Sequence, residues 1–406
     1  MSFVSFRLKS LISHAYETVP YYRRVFDSQG LDVRDLRLPA DIQKIPFLSS
    51  DDIRSSGKQL ISRSFPLNVL QAKPTSGSTG KPRILYQTRD FKLWKRAFVR
   101  RQYEWLGYSL GDRVAVLWGS EFYFRMKNFR DKLENVLLNH VELNTFRITE
   151  DMIRSYAERL ANFHPQFIES YMSAIYLLAK TVRRHGIAGI HPKAIMTTSE
   201  ILFPKIRKFI EDTFECPVFD RYGANEVDGI SLECPGGAGM HINLEGNFLE
   251  FVGRNGPVKE NEMGEIVITN LYNYGMPLIR YRIGDFASYS NQTCQCGKTL
   301  PVMGNLHGRI HDFVVSSDGS LLDPYFFVKV ISPTLVQEFK IDQESAGEVT
   351  ILLKTDNFEH DSQQILEKIL WLDPGMKVRF KRLDSWPISA SGKYRFVESK
   401  AKIDWF

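Results

Sequence analysis

The chain has 406 residues, enough for a large core and for more than one domain. Hydrophobic residues make up 43% and charged residues 25%, an ordinary globular balance, and no apolar run approaches the ~20 residues of a membrane span. A net charge of +6 without a basic, aromatic-interleaved block argues against a nucleic-acid surface, and four cysteines argue against a disulfide scaffold.

Residues 1–60 read as helical pieces punctuated by Pro20, Pro39 and Pro46. Phe3, Val4, Phe6, Leu8, Leu11 and Ile12 roughly share a helical face, which is expected to pack on its own domain rather than on a membrane surface. Met1–Tyr22 has neither a long apolar stretch nor a small-residue cleavage site, so no signal peptide is expected and a cytoplasmic location follows by default.

Between about 70 and 220, short apolar strands (Val114–Trp118, Ala194–Thr197) alternate with amphipathic helices (Met152–Leu160, Ala174–His185). That alternation predicts an α/β layered domain. From about 217 to 290 the pattern turns strand-rich, with Phe248–Val252, Gly264–Asn270 and Leu278–Tyr289, which predicts a β-subdomain. Arg280 and Arg282, two apart on this last expected strand, would share a face and reach either a phosphate or a salt-bridge partner.

After Gly308-Arg309 the character changes again. A hairpin around Ser317–Ser320 precedes a helix (Phe326–Ile331), two strands (Val336–Ile341, Val349–Lys354), a helix (Ser362–Leu370) and a strand (Val378–Arg382). The expected division is therefore a large N-terminal domain, 1–308, and a small α+β domain, 309–406.

Thr75-Ser76-Gly77-Ser78-Thr79-Gly80-Lys81-Pro82 is the sharpest local signal. Its glycines let backbone approach an anion, its hydroxyls and N–H groups can donate to phosphate oxygens, and Lys81 adds charge. Only Ser78 and Thr79 separate Gly77 from Gly80, and Pro82 follows Lys81, so it is not a Walker A loop. No Ser/His/acid set can be assembled for a nucleophilic hydrolase.

Four further segments follow in order: Tyr222-Gly223-Ala224-Asn225-Glu226, Arg280-Tyr281-Arg282-Ile283-Gly284-Asp285, Gly308-Arg309-Ile310-His311-Asp312 and Ser391-Gly392-Lys393. With the loop, they resemble the signatures of the adenylate-forming superfamily: acyl-CoA synthetases, peptide-synthetase adenylation domains and luciferase. The loop wording and Met276–Tyr281 look most like the phenylacetate-CoA ligase branch, nearest its CapK-like and coenzyme F390 synthetase-like members. The resemblance implies a large N-terminal domain and a small mobile C-terminal one, hinged near 309–312.

It also implies roles. The chain would use ATP to convert a small carboxylic acid into acyl-AMP. Tyr222 would stack on adenine and Glu226 would bind Mg²⁺. Asp285 would accept ribose hydroxyls, and Arg309 would contact ribose or phosphate. Lys393 would bridge the acyl carboxylate and the α-phosphate. Ser199 and Glu200 would fall at a turn shared by nucleotide and acyl group, and Phe122–Phe124 and Tyr171–Ser173 would line the acyl pocket. The resemblance supports a reading of Cys234, His241, Cys294 and Cys296, three thiolates and an imidazole, as a structural zinc site. Asn225 stands where Thr or Ser is usual, His311 where the hinge Asp is usual, and Ile283 where Thr is common. Ser317–Pro324 lacks the glycine-and-asparagine stretch that lines the CoA channel, so an amine or hydroxyl acceptor is favoured over the CoA thiol. The two remaining readings are a CoA ligase and an inactive adenylation fold that only binds.

Overall fold

The computed structural model describes residues 2–75, 83–118, 129–145, 149–309, 312–322, 324–331, 338–383 and 396–401. The chain divides into two compact units, Met1–Gly107 with Arg221–Asn305, and Tyr108–Asp220 with Leu306–Phe406. The mixed α/β, multi-sheet architecture is the expected one.

The first unit opens with helices α1 (Phe3–Thr18), α2 (Pro20–Ser28) and α3 (Ser50–Ser56). Pro20 starts α2 rather than breaking a helix, because the first helical position needs no N–H. Ser49 and Asp52 form a reciprocal capping box on α3. The buried stripe of α1 is Leu8, Leu11, Ile12 and Ala15, whereas Phe3 and Phe6 are exposed, which corrects the expected face. At about 100° per residue, Phe6 and Phe3 lie roughly 160° and 140° around the helix from Leu8.

Strands β1 (Gln71–Thr75) and β2 (Arg83–Gln87) then pair antiparallel, with Thr75 opposite Arg83. Helix α4 (Arg89–Trp105) follows, capped by Thr88. Its Phe91 and Phe98 share a core with Leu8, Ile42, Leu271 and Tyr272.

The chain next builds the α/β part of the second unit: β3 (Val114–Trp118), α5 (Phe129–Leu137), β4 (His140–Asn144), α6 (Glu150–Phe163), β5 (Phe167–Tyr171), α7 (Met172–His185), β6 (Ala194–Thr198) and α8 (Pro204–Phe214). The strands run parallel in the order β4-β3-β5-β6. Every residue of β5 and β6 is buried, as befits strands covered on both faces. Helices α6 and α7 close on His164 and Gly186 in left-handed conformations.

Strand β7 (Val218–Tyr222) carries the chain back into the first unit, where its end pairs with β8 (Ser231–Glu233), β8 with β9 (Met240–Ile242), and β9 with β14 (Val302–Met303). A second antiparallel sheet has the order β11-β10-β12-β13, from β10 (Asn247–Gly253), β11 (Gly256–Pro257), β12 (Met263–Asn270) and β13 (Tyr281–Ser288). Strand β13 starts later than expected because Arg280 has a left-handed backbone, φ 49°. Arg280 is therefore not a strand neighbour of Arg282. It pairs with Glu250 at 2.8 Å, and Arg282 pairs with Glu265 at 2.8 Å, so both are structural.

The second unit finishes with β15 (Leu306–Arg309), the hairpin β16 (Val314–Val315) and β17 (Leu321–Leu322), α9 (Pro324–Ile331), β18 (Glu338–Ser345), β19 (Glu348–Lys354), α10 (Phe358–Leu372), β20 (Lys377–Arg382) and β21 (Val397–Ser399). Its sheet order is β20-β19-β18-β21. Val314, Phe327, Ile341, Ile351, Ile365 and Val397 belong to its own core. Within the unit, Lys180 pairs with Glu338 at 2.9 Å, and Phe203 meets Phe396 edge-on at 4.5 Å. No described helix is long and apolar enough to cross a membrane.

The buried Tyr22 hydroxyl ties α2 to the entry of β13: it donates to the Pro277 carbonyl at 2.9 Å and accepts from the Ile279 N–H at 3.1 Å. Tyr22→Phe leaves both backbone groups unpaired and is expected to cost about 1–3 kcal/mol. The midpoint of urea unfolding checks this.

Candidate functional site

Within the first unit the Tyr222–Glu226 segment meets β2 and β13. Glu226 is buried at 5% exposure and Arg83 at 9%. Arg83 Nη2 donates to Glu226 Oε1 at 2.7 Å, and Nη1 donates to the Tyr281 hydroxyl at 2.6 Å and to Ser50. The Tyr281 hydroxyl in turn faces Glu226 Oε1 at 3.4 Å. Burial, then the adjacent Glu226 charge, pushes Tyr281 up to about 12, so its proton stays on near neutral pH. Both partners address Oε1, which leaves Oε2 without a hydrogen-bond partner among the described residues. A carboxylate ion-paired at one oxygen, with the other to spare, fits a hard cation such as Mg²⁺.

Tyr222 and Asp285, singled out separately in the sequence, come together: the Tyr222 hydroxyl donates to Asp285 Oδ2 at 2.8 Å, and both are buried. A Cβ on Gly223 would stand 2.7 Å from Asp228 Oδ1, so a side chain there would push the Asp228 carboxylate aside. Asn225 is exposed beside Glu226.

Sequence reading missed the cations around this segment. Arg83 directly follows the 76–82 segment and stands opposite Thr75 across the β1–β2 pair. Arg221 pairs with Asp228 at 3.1 Å. Lys95 occupies a core position of α4, between Phe91 and Phe98, and is 9% exposed. Burial, and next the positive charge of Lys73, lower it to about 8. A lysine at i+4 from one buried phenylalanine and i−3 from another was the legible signal.

Ser199, Glu200 and Arg309 lie in the second unit. Ser199 turns the chain after β6 with φ 70°. Glu200 accepts from the Ser173 N–H at 2.7 Å and the Ser173 hydroxyl at 2.9 Å, at the start of α7. Tyr171, at the end of β5, packs on Trp118 with centroids 4.8 Å apart. Arg309 ends β15, its N–H bonded to Asp312 at 2.9 Å. Ser76, Gly77, Ser78, Thr79, Gly80, Lys81, Phe122–Phe124 and Lys393 lie outside the described residues.

Cys234, His241, Cys294 and Cys296 gather in the first unit with all ligand atoms within 4.8 Å of one another. Cys234 Sγ lies 3.3 Å from Cys294 Sγ, and His241 Nε2 lies 3.1 Å from Cys296 Sγ. Four ligands at zinc bond lengths of 2.0–2.3 Å stand about 3.3–3.8 Å apart on tetrahedral edges. His241 Nδ1 faces the Leu300 carbonyl at 3.2 Å; a carbonyl only accepts, so Nδ1 carries the proton and Nε2 presents its lone pair. Burial raises the Cys296 thiol, but the Lys298 N–H, the neighbouring thiols and His241 outweigh it and hold it near 6. The donor set fits zinc. Gly239, φ 109°, makes the β8–β9 turn where a Cβ would strike the Met303 carbonyl at 2.4 Å.

No family model matches the chain. Phenylacetate-coenzyme A ligase of Thermus thermophilus is 28% identical over 324 residues, 76% of this chain and 70% of that protein. Protein CapK of Staphylococcus aureus is 22% identical over 413 residues, 98% of this chain and 88% of that protein. A solved 2-hydroxyisobutyryl-CoA ligase, in its postadenylation state with 2-HIB-AMP, superposes with a TM-score of 0.80 at 18% identity, covering 98% and 89% of the two chains. The fold is thus that of the adenylate-forming enzymes. The sequence relatives of this chain are phenylacetate-CoA ligases and CapK.

Removing Arg83 strands a buried charge. Arg83→Met is expected to destabilise the protein by about 3–5 kcal/mol, and Glu226→Gln in the same chain to recover part of that loss. A double-mutant cycle by chemical denaturation measures it.

Proposed function

We propose that the protein is an AMP-forming ligase that activates a small carboxylic acid with ATP and passes the acyl group to a nucleophile. Glu226 carries this reading: it is buried and ion-paired with Arg83, yet keeps one oxygen open, beside the strands that flank residues 76–82. In the first half-reaction a carboxylate oxygen bonds to the α-phosphorus and the bond to the β-phosphate oxygen breaks, releasing pyrophosphate. Two anions must be brought together, so positioning and cationic charge supply most of the rate. Mg²⁺ bound to Glu226 Oε2 would supply positive charge to the phosphate oxygens.

The chain's own groups divide the remaining work. Thr75–Lys81 would cradle the phosphates with hydroxyl and backbone donors. Tyr222 would face adenine, held at its hydroxyl by Asp285, which would also take the ribose hydroxyls. Arg309 would reach ribose or phosphate, and Ser199 and Glu200 would border the acyl site. We assign the small domain to 309–406, hinged near 309–312, with Lys393 bridging carboxylate and α-phosphate. In the second half-reaction the nucleophile attacks the acyl carbon, its proton leaves, and AMP departs.

We favour an amine or hydroxyl acceptor, on a sugar or another small molecule. The CapK likeness spans 98% of the chain, whereas that to the Thermus ligase spans 76%. The Ser317–Ser320 turn is closed on itself, with Asp318 accepting the Ser320 N–H at 2.9 Å and Asp373 the Ser317 N–H at 2.7 Å. The ligases among the relatives favour the second reading, a thioester of CoA. Zinc at Cys234, His241, Cys294 and Cys296 would staple the β-subdomain and take no part in the chemistry.

With a competent acid the protein is expected to exchange labelled pyrophosphate into ATP. Lys393→Ala should lower exchange by at least about 10²-fold while leaving the unfolding midpoint unchanged. Exchange at the wild-type rate in Lys393→Ala would overturn the mechanism. Supplying CoA, hydroxylamine or an amine panel and identifying the acyl product by mass spectrometry separates the two acceptor readings. Plasma emission should find about one zinc per chain, lost in Cys294→Ser together with thermal stability.

A further inference from the structure

The sequence puts Phe3 and Phe6 on one helical face with Leu8 and Ile12, but the structure leaves both rings outside, 51% and 56% exposed. Fraying does not account for this. Ser2 caps the helix, its side chain accepting from the Ser5 N–H at 3.2 Å, so Phe3 is already helical. Three residues apart, the two rings lie about 60° from one another around α1. Arg7 joins them to the rest of the surface. Its guanidinium carbon sits 5.9 Å from the Phe3 ring centre and 4.0 Å from that of Tyr272, and its buried Nε has no hydrogen-bond partner among the described residues. Tyr272 in turn lies 4.4 Å from Trp94 of α4, which is 43% exposed, and the adjacent Leu93 is 55% exposed. Phe3, Phe6, Trp94 and Leu93 thus share one apolar ridge across two helices and are not scattered side chains.

Cations edge the ridge. Lys9, one turn on from Phe6, is exposed, and residues 3–12 of α1 include no acid. On α4, Arg89 and Arg96 stand four before and three after Leu93, on its face, and Lys92 is exposed beside them. Asp90 is the one exposed carboxylate along residues 89–97. We propose that this face of the first unit docks on a membrane surface that carries anionic lipids. Phe3, Phe6, Leu93 and Trp94 enter the headgroup layer, and Lys9, Arg89, Lys92 and Arg96 lie against its phosphates. The inference is independent of the adenylation reading. Aromatic rings settle at headgroup depth, and each basic side chain held near an anionic surface strengthens binding about fivefold. A second copy of the chain fits less well. A two-fold contact would set this patch against itself and bring its cations together.

The test is co-sedimentation of the full chain with phosphatidylcholine vesicles, with and without phosphatidylglycerol, at low and at physiological salt. Binding should require phosphatidylglycerol and weaken at the higher salt. Phe3→Ser with Phe6→Ser should lower the partition coefficient at least about tenfold, through lost apolar insertion. Lys9→Glu with Arg89→Glu should lower it by about tenfold or more, through lost attraction to the lipid phosphates. All four side chains are exposed, so both double variants should keep the wild-type unfolding midpoint. Brominated lipid in the anionic vesicles should quench the tryptophan emission of the wild type, and quench that of Trp94→Phe less. Absence of binding to anionic vesicles at low salt overturns the proposal, as does binding that neither double variant weakens. Equal binding to phosphatidylcholine alone overturns the assignment to anionic lipid. Retention on heparin without vesicle binding gives the face to a soluble polyanion. A dimer that Phe3→Ser with Phe6→Ser splits, without vesicle binding, gives it to a second copy, and either result overturns the proposal.

Discussion

A buried carboxylate needs a positive group fixed beside it, and in this protein Arg83 stands in that place beside Glu226. Arg83 cannot move freely, because its guanidinium is also held by Tyr281 and Ser50. Tyr281 can serve as that anchor because its hydroxyl stays protonated, and its strand is fixed in turn by the β12–β13 ladder. The pair is asymmetric: both Arg83 and Tyr281 address Oε1. A fully satisfied glutamate would be a structural ion pair, like Glu250, which takes Arg280 at both oxygens. One held at a single oxygen is poised for a second cation. Register does the rest. Thr75 sits opposite Arg83, so the segment between them is the connection of an antiparallel pair, and the residue that fixes Glu226 directly follows that segment.

The same unit fastens β13 at both ends. Tyr281, its first residue, joins the Arg83 network; Asp285, in its middle, accepts from Tyr222 of β7. Beyond its last residue, Ser288, the chain runs to Cys294 and Cys296, which gather with Cys234 at the end of β8 and His241 of β9. Three links of different chemistry thus run between the β7–β9 segment and the strand that carries Asp285. A metal at the last of them would remove much of the freedom of an otherwise irregular loop, which is how structural zinc contributes to folding.

Where one physical rule decided the outcome, it could be read from the sequence. Strands covered on both faces appear as short apolar runs, so Val114–Trp118 was found to the residue and Ala194–Thr197 to within one. The turn residues around Ser317–Ser320 announced their hairpin for the same reason. Where two rules competed, the reading slipped. Phe3 and Phe6 are apolar but stand on the wrong side of α1, because burial follows helical phase rather than hydrophobicity alone. Arg280 looked like strand and is a left-handed turn, since its side chain reaches Glu250 and the Gln43 carbonyl only from there. Motif order singled out Tyr222, Glu226 and Asp285, which the structure buries in sequence-distant pairs, Glu226 with Arg83 and Tyr222 with Asp285. It could not locate Arg83, Lys73, Lys95 or Arg221, because a buried cation has no spacing signature of its own. Cys234, His241, Cys294 and Cys296 showed their chemistry but not their proximity, which depends on how β8, β9 and the segment after β13 are brought together.

The two halves of the reaction make different demands on a protein. The first needs fixed charges in a site that does not relax, because two anions must meet without water screening them. Such charges must be buried, braced and individually compensated, so they leave visible traces in burial and pairing. The second half needs only a path by which a nucleophile reaches the acyl carbon, and paths are made by surface turns of low cost and few constraints. Ser317–Ser320 is a surface turn of that low cost, satisfied within itself and by Asp373. Buried, paired charge is thus the costly part of such a site, and surface turns are the part that changes most cheaply.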